Sequence, residues 1–427
     1  MEKDDYETDL PKEVYITASL NSFAGGIANP FTTTYMIDMG ATLSELGIFR
    51  AVGNIAPTFL QPIWGGLSDR TGHRKYYVSF GVSIAYLLFT VMYFLELPVQ
   101  VIILFFIQSV ILSISIPTWS ALLGELIPAN KRGHLLGRIG TLASIAGLIA
   151  TLSGGILSGM TIFGGWKDQY FLPFTISSIV GILAGIIALR IREPERSPEL
   201  RKARSIFPPI LTIFRKPGDF RRLCFVSAFF SFAMSMAWPF FSVVLRIWLK
   251  ASLLEIAIQS AMMSITMIIF QSYFGRLSDK YGRKPLILAG RFLLPFVPII
   301  YVLATDMYLI YFGAALAGFS VALSQNALMA YIFDASPEEE LGGYLSVYNV
   351  FSGFIFLFGS LFSGIMGDFI AQFVGQYLAV FYMMIASGIL RFIGATMYGF
   401  LHETHHTTHK IIPDILSAVS SLKTWRK

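Results

Sequence analysis

The stretch that decides the fold runs from Gly65 to Lys75, GGLSDRTGHRK, and it returns from Gly275 to Lys284 as GRLSDKYGRK. Each copy sets glycine, leucine, serine and aspartate ahead of a cation, then a glycine and a closing basic pair. A tight turn between two helices needs a residue that tolerates positive φ, which assigns Gly72 and Gly282 to the turns. Asp69 and Asp279 are placed to accept from nearby backbone amides or to pair with arginine. Arg74, Lys75, Arg283 and Lys284 then anchor each loop at a membrane surface. Recurrence in register, 210 positions from Gly65 to Gly275, marks an internal repeat rather than two incidental basic loops.

Around these loops the chain is apolar. Of 427 residues, 55% are hydrophobic and 14% charged, with mean hydropathy +0.64. Soluble domains carry about 25% charged residues, so a bilayer is the simpler solvent. A membrane helix needs roughly 20 apolar residues. The sequence offers twelve such runs, at 14–37, 48–66, 77–97, 98–123, 135–160, 170–191, 221–247, 254–275, 285–304, 306–331, 342–367 and 376–401. Their length and lack of alternation indicate helices and not barrel strands. The expected fold class is therefore an all-α membrane protein with twelve transmembrane helices in two pseudo-symmetric six-helix bundles. A tail (1–13), a first bundle (14–191), a central linker (192–220), a second bundle (221–401) and a second tail (402–427) make up the expected domains. The opening MEKDDYETDLPKE lacks a signal-peptide core, and the single cysteine, Cys224, excludes an intramolecular disulfide.

Arg70, Arg74, Lys75, Lys131, Arg132, Lys280, Arg283, Lys284 and nine cations of 192–222 fall in one set of connections. The opposite set holds little beyond Lys167, Arg246 and Lys250. The positive-inside rule puts the rich set, both glycine loops and both termini in the cytoplasm. The halves match elsewhere. ELIPANKRG, Glu125 to Gly133, follows the fourth run, and DASPEEELG, Asp334 to Gly342, follows the tenth. Both start with a carboxylate, place proline three positions on and end in glycine, as expected of a parallel repeat of two six-helix units.

With these motifs in place the sequence resembles the major facilitator superfamily of secondary transporters. The resemblance rests on the loop signature, shown cleanly from Gly275 to Lys284 and with His73 in a usual arginine position in the first copy, and it covers essentially the whole chain. It implies alternating access, two bundles rocking about a central site. It also implies a cytoplasmic latch for the outward-facing state, with Asp69, Arg70 and Arg74 as members beside Glu125 and Arg132. Gly65, Gly72, Gly275, Asp279, Gly282, Arg283 and Asp334 complete the gate elements of the two halves. In the second half Leu341 stands where a counterpart of Arg132 is expected, so the latch is expected to be asymmetric. Ala150-Thr151 stands where the family's antiporter signature carries glycine-proline.

Polar side chains at membrane depth cost free energy unless paired or wet, which makes them site candidates. They are Asn21 and Asn29 in the first run, Gln108 in the fourth, Trp238 beside Pro239 in the seventh, Gln325 and Asn326 in the tenth and Asn349 in the eleventh. Bonding to a neighbouring helix is the alternative role for each amide. In the superfamily's arrangement the first, fourth, seventh and tenth helices line the cavity. Carboxylates avoid the middles of the runs. A proton-coupled mechanism wants a carboxylate whose pKa burial can raise, so coupled and facilitative transport both stay open, with Glu125 and Asp334 the nearest candidates. Arg291 and Arg391 lie in runs that are peripheral in the family and are expected to snorkel or pair structurally. Arg50 is expected at the outer start of the second helix.

The histidines of His402 to His409 are read as a solvated tail in preference to a metal site, and Ile206 to Phe220 as a linker on the inner leaflet. The expected function is transport of a small organic solute by a monomer in the plasma membrane, with H+ as the candidate coupling ion. No cofactor, metal or nucleic acid is expected. Two alternatives are weighed, a transporter-shaped sensor or scaffold and a membrane-embedded enzyme. The enzyme would need clustered His, Asp or Glu at depth, and the runs show none. The absence of a Walker-type loop leaves ATP-driven pumping unsupported.

Overall fold

The computed structural model describes residues 10–127, 131–160, 162–193, 218–337 and 341–404, the side chains of 54–58, 62, 69, 70, 132, 133 and 342 excepted. The first half contains α1 (Lys12–Asp38), α2 (Leu43–Thr71), α3 (Arg74–Tyr93), α4 (Pro98–Leu126), α5 (Arg132–Leu157) and α6 (Asp168–Leu189). The second contains α7 (Asp219–Val243, continued by a π-helical turn to Trp248), α8 (Leu253–Tyr281), α9 (Arg283–Leu293), α10 (Phe296–Leu303), α11 (Met307–Asp334), α12 (Leu341–Val374) and α13 (Gln376–Met397). Among the described residues ten helices are long and apolar enough to cross a membrane, with α9 and α10 counted as one rod. To these add α1 and α2, of 27 and 29 residues.

Most boundaries follow from local chemistry. α2 and α8 both start with a capping box, Thr42 with Glu45 and Ser252 with Glu255, which satisfies two otherwise orphaned amides in each. The box places the start of α2 at Leu43, five residues before the sequence expectation. Arg50 is therefore about 10 Å inside the helix at 1.5 Å per residue, not at its mouth. Gly72 and Gly282 end α2 and α8 at φ +74° and +98°. The ninth expected run is one rod broken at Leu294–Pro295, because proline cannot donate to the helix ladder.

The repeat extends from sequence to contacts. Pro30 in α1 has no N–H, so the Gly26 carbonyl is free, and Thr151 of α5 donates to it at 3.0 Å. Pro239 in α7 likewise frees the Ser235 carbonyl, and Ser360 of α12 donates at 3.2 Å. Pro30 to Pro239 and Thr151 to Ser360 are both steps of 209. Ser177 to the Ala24 carbonyl and Ser387 to the Ala233 carbonyl, 2.7 and 2.6 Å, form another such pair. At the loop-motif end Arg74 lies 3.4 Å from Glu125, and Arg283 lies 3.3 Å from Asp334. There too the Glu193 carboxylate accepts from the Lys75 amide, while Glu403 accepts from the Arg283 and Lys284 amides at 2.9 and 3.0 Å. Carboxylates thus stabilise the positive ends of α3 and α9 in both halves.

Within the first half α1 packs on α5 and α6, and α3 on α4 and α6; within the second, α8 packs on α11 and α7 on α12 and α13. Across the halves α2 packs on α12 and α5 on α8. Of the two roles expected of Arg391, structural pairing is the one found. It does not snorkel: it is 1% exposed and donates to the Met234 carbonyl at 2.9 Å and the Leu294 carbonyl at 3.3 Å. Pro298 explains the second acceptor, since it cannot donate back to Leu294. Arg291 lies over the rings of Phe230 and Tyr398, 4.6 and 5.5 Å from their centroids.

Candidate functional site

At the end opposite the glycine loops, the two halves are fastened together. Asp38, the last residue of α1, receives a two-pronged bond from Arg246 in the π-helical turn beyond α7, at 2.8 and 2.7 Å. Tyr170 and Gln169 at the start of α6 donate to the same carboxylate at 2.6 and 3.0 Å, and Gln169 also accepts from Arg246 at 3.2 Å. Arg246 is held in turn by the Ala251 carbonyl at 2.8 Å. The paired side chains are only 14% and 20% exposed, so water screens them little.

A second fastening lies beside it. Asp368 of α12 accepts from the Leu43 and Ser44 amides at the first turn of α2, 3.1 and 2.8 Å away. It takes up, across the interface, two amides of the α2 start that the Thr42–Glu45 box does not reach. One turn on, Gly47 meets α12 so closely that a Cβ there would lie 2.7 Å from the Ser360 carbonyl oxygen and 2.9 Å from Gly364 Cα. The repeat-related crossing, Gly155 of α5 on α8, would put a Cβ 2.6 Å from Ala257 Cβ and 2.9 Å from Leu254 Cα. Main chain therefore touches main chain at this end, and it is shut.

Several of the polar candidates are exposed among buried neighbours. Asn29 is exposed although its neighbours Ala28 and Phe31 are fully buried, and α1 lies between both halves, touching α5, α6, α7 and α8. Trp238 of α7 stacks on Phe356 of α12, centroids 4.9 Å apart and planes 15° from parallel. Asn349, also exposed, is seven residues from Phe356 and shares its face of α12. Gln325 is exposed on α11, on the side away from the outward-facing Phe312.

The other candidates have helix-to-helix tasks. Gln108 is buried and donates to the Ala85 carbonyl of α3 at 2.9 Å. Asn326 donates to the Gln271 carbonyl of α8 at 3.2 Å. Asn21 is different: its main-chain carbonyl accepts from the Tyr86 hydroxyl at 3.0 Å, and its side-chain Oδ1 is buried with no hydrogen-bond partner among the described residues. At the loop-motif end the described pairs stay within one half: Arg74 with Glu125, and Arg283 with both Asp279 and Asp334. The side chains of Asp69, Arg70 and Arg132, and the histidines beyond His402, lie outside the described residues. Among the described residues no group of three or more His, Cys, Asp or Glu is placed to hold a metal. Thr151, in place of the antiporter proline, answers the carbonyl that Pro30 leaves free.

Sequence reasoning missed Asp38 and Arg246. They are 208 positions apart and each ends its helix, so no local spacing marks them. Their matching places at the ends of α1 and α7 are the signal the repeat offered.

The Major Facilitator Superfamily model matches residues 14–243 and again 223–427, which together span nearly the whole chain. The chain belongs to that superfamily. Among curated relatives, multidrug resistance protein MdtG of Escherichia coli O17:K52:H18 is 24% identical over 305 residues, 66% of this chain and 71% of its own length. MdtG of the K12 strain aligns to the same extent. Among solved structures, a bacterial homologue of the human lysosomal transporter Spinster, inward-facing and occupied, superposes with TM-score 0.74. It is 16% identical and covers 91% of this chain and 95% of its own. A D-xylose-proton symporter gives TM-score 0.69 at 17% identity, over 93% and 99% of the two chains. The nucleoside transporter NupG gives 0.68 at 12%, over 91% and 99%. Superfamily membership and these neighbours make the chain a multi-pass membrane transporter of small solutes and not an enzyme.

Proposed function

We propose that this superfamily member carries a small organic solute across the plasma membrane by alternating access, as a monomer with both termini in the cytoplasm. In this reading the bundles are residues 14–191 and 221–401, joined by a cytoplasmic linker, 192–220, and all twelve spans cross the bilayer. The described conformation is the inward-facing one, with the Asp38–Arg246 end extracellular and closed. The observation that carries this is that bridge: it joins the two halves at the end away from the basic loops. A bond that exists only while that end is shut stabilises one access state over the other. The partner state needs a fastening at the opposite end, and the duplicated loops supply residues of the right chemistry, Asp69, Arg70 and Arg74 in the first half and Asp279 and Arg283 in the second.

The solute site lies beneath the bridge among Asn29, Trp238, Gln325 and Asn349. Amides and an aromatic face suit a solute with both polar and apolar parts. Uptake of labelled solutes into proteoliposomes tests the reading. Accumulation that follows an imposed pH gradient makes the protein proton-coupled, equilibration without a gradient makes it facilitative, and no movement of any solute over protein-free vesicles overturns transport.

A further inference from the structure

A cation stands inside the second bundle with no acid to answer it. Arg291 lies on α9 about 12 Å from the loop-motif end, counted at 1.5 Å per residue from Arg283. Its guanidinium meets Phe230 of α7 and Tyr398, in the short turn beyond α13, at 4.6 and 5.5 Å from the ring centroids. The two rings are edge to face, 5.8 Å apart. Rings of this kind attract the flat face of a guanidinium and leave its N–H edge for acceptors. Among the described residues no acceptor takes that edge, and Nε is buried with no hydrogen-bond partner.

Hydroxyls gather at the same place. Ser227 of α7 and the Tyr398 hydroxyl share a hydrogen bond of 3.0 Å. The Tyr348 hydroxyl of α12 is directed at Ser227 and Ser352, with Arg291 near enough to act on it electrostatically. Ser352 is 8% exposed, and its Oγ has no partner among the described residues. Each of these groups has a proton to donate. No aspartate or glutamate occurs in 220–243, 283–303, 307–333, 341–367 or 376–401, the helices that enclose the cluster. A charge carried into a bundle is costly without a partner. Arg391 offsets that cost with two backbone carbonyls, and Arg291 has neither carbonyl nor carboxylate among the described residues.

The fold does not require this cluster. The halves are related by steps of 209 between α1 and α7, α3 and α9, and α5 and α12, and of 210 between α6 and α13. On these steps Arg291 stands for Val82, Ser227 for Ala18, Tyr348 for Ile139, Ser352 for Ala143 and Tyr398 for Ala188. Val82, Ala18, Ile139 and Ala188 are all buried. Where the first bundle closes over with aliphatic side chains, the second sets a guanidinium and four hydroxyls.

We propose that this cluster is an anion site of the second bundle, taking a compact monoanion, a halide or the carboxylate of a small acid. The anion bonds the N–H edge of Arg291, and the Tyr348 and Ser352 hydroxyls donate to it as well. Bound there it ties α9 to α12. The inference goes beyond the transport reading and does not depend on it, since a saturable anion response stands whether or not a solute crosses.

Thermal unfolding of the full-length protein in detergent tests it. Sodium gluconate, the bulky reference, is replaced stepwise at constant ionic strength by chloride, nitrate, formate or acetate. At least one of the four is expected to raise the unfolding temperature along a saturating curve. Arg291→Gln is expected to move the midpoint of that curve about 10-fold or more to higher concentration, and Arg291→Lys to restore part of the affinity. Tyr348→Phe and Ser352→Ala are each expected to weaken binding about 3-fold, and they supply the reading should Arg291→Gln fail to fold. A linear response shared by the parent and Arg291→Gln is a general salt effect and overturns the site. So does an unchanged midpoint in both Tyr348→Phe and Ser352→Ala, or the absence of any response to the four anions.

Discussion

Replacing Asp38 by asparagine removes the charge that holds the far end shut while keeping the side chain's shape. Two unit charges 2.7 Å apart in a partly buried setting, effective dielectric about 20, attract by about 6 kcal/mol. Desolvation of both groups offsets much of this, and close charge pairs at interfaces retain about 1.5–7 kcal/mol in double-mutant cycles. Asparagine keeps an acceptor for Arg246 and Tyr170, so the low part of that range applies, about 2 kcal/mol. If the bond exists only in the closed state, the closed-to-open ratio falls about 30-fold (RT is about 0.59 kcal/mol). Spin labels on Glu96→Cys and Gln376→Cys, two exposed turns of opposite halves at this end, read the ratio in a Cys224→Ser background. Asp38→Asn is expected to lengthen the dominant distance, Arg246→Gln to do the same, and the exchanged pair Asp38→Arg with Arg246→Asp to bring part of the short distance back. Identical distributions in the single variants and the parent would refute the gate.

Gly47→Ala drives a methyl into the main chain of α12, and backbone cannot rotate out of the way as a flexible side chain can. The same label pair should show the far end held open, at a cost to the closed state of about 1–3 kcal/mol; a closed distance retained in the variant would mean that the crossing yields. Arg391→Met leaves the Leu294 and Met234 carbonyls without their donor, at about 1–3 kcal/mol each, less the charge no longer buried. Thermal unfolding should drop while flux per folded molecule stays level, and the reverse pattern would put Arg391 in the pathway. Leucine at both Asn21 and Asn29 should impair solute binding more than unfolding temperature, with Asn29 carrying the larger effect; unimpaired flux in the double variant would take α1 out of the site.

Sequence carried the fold because the repeat is written in residues with single physical meanings. Gly72 and Gly282 mark turns, whereas the capping boxes of Thr42 with Glu45 and Ser252 with Glu255 went unread and left the start of α2 five residues late. The apolar runs leave the membrane as the one solvent that fits. Cavity residues were harder to read, because an amide at membrane depth has two uses that look alike in one dimension. Asn29 is exposed while Gln108 is buried and bonds Ala85, and only the rotation of each helix against its neighbours separates them. The closed end was least legible. Arg246 was read as an ordinary outer-loop cation, yet a π-helical turn carries α7 five residues further and turns this arginine onto Asp38. Arg50 was misplaced for a related reason: the polar beginning of α2 hid about a turn and a half of helix ahead of the apolar run.

The glycine contacts at the closed end have a kinetic consequence. Where Gly47 crosses Gly364, and Gly155 crosses Leu254, the glycines themselves carry no side chain that must change rotamer before the halves tilt. Such a joint behaves as a bare fulcrum. Resistance to rocking is then concentrated in the polar fastenings beside it, the ionic clasp between Asp38 and Arg246 and the Asp368 bonds to α2, so substitutions there should alter the tempo of the transport cycle as well as the resting balance of its two states.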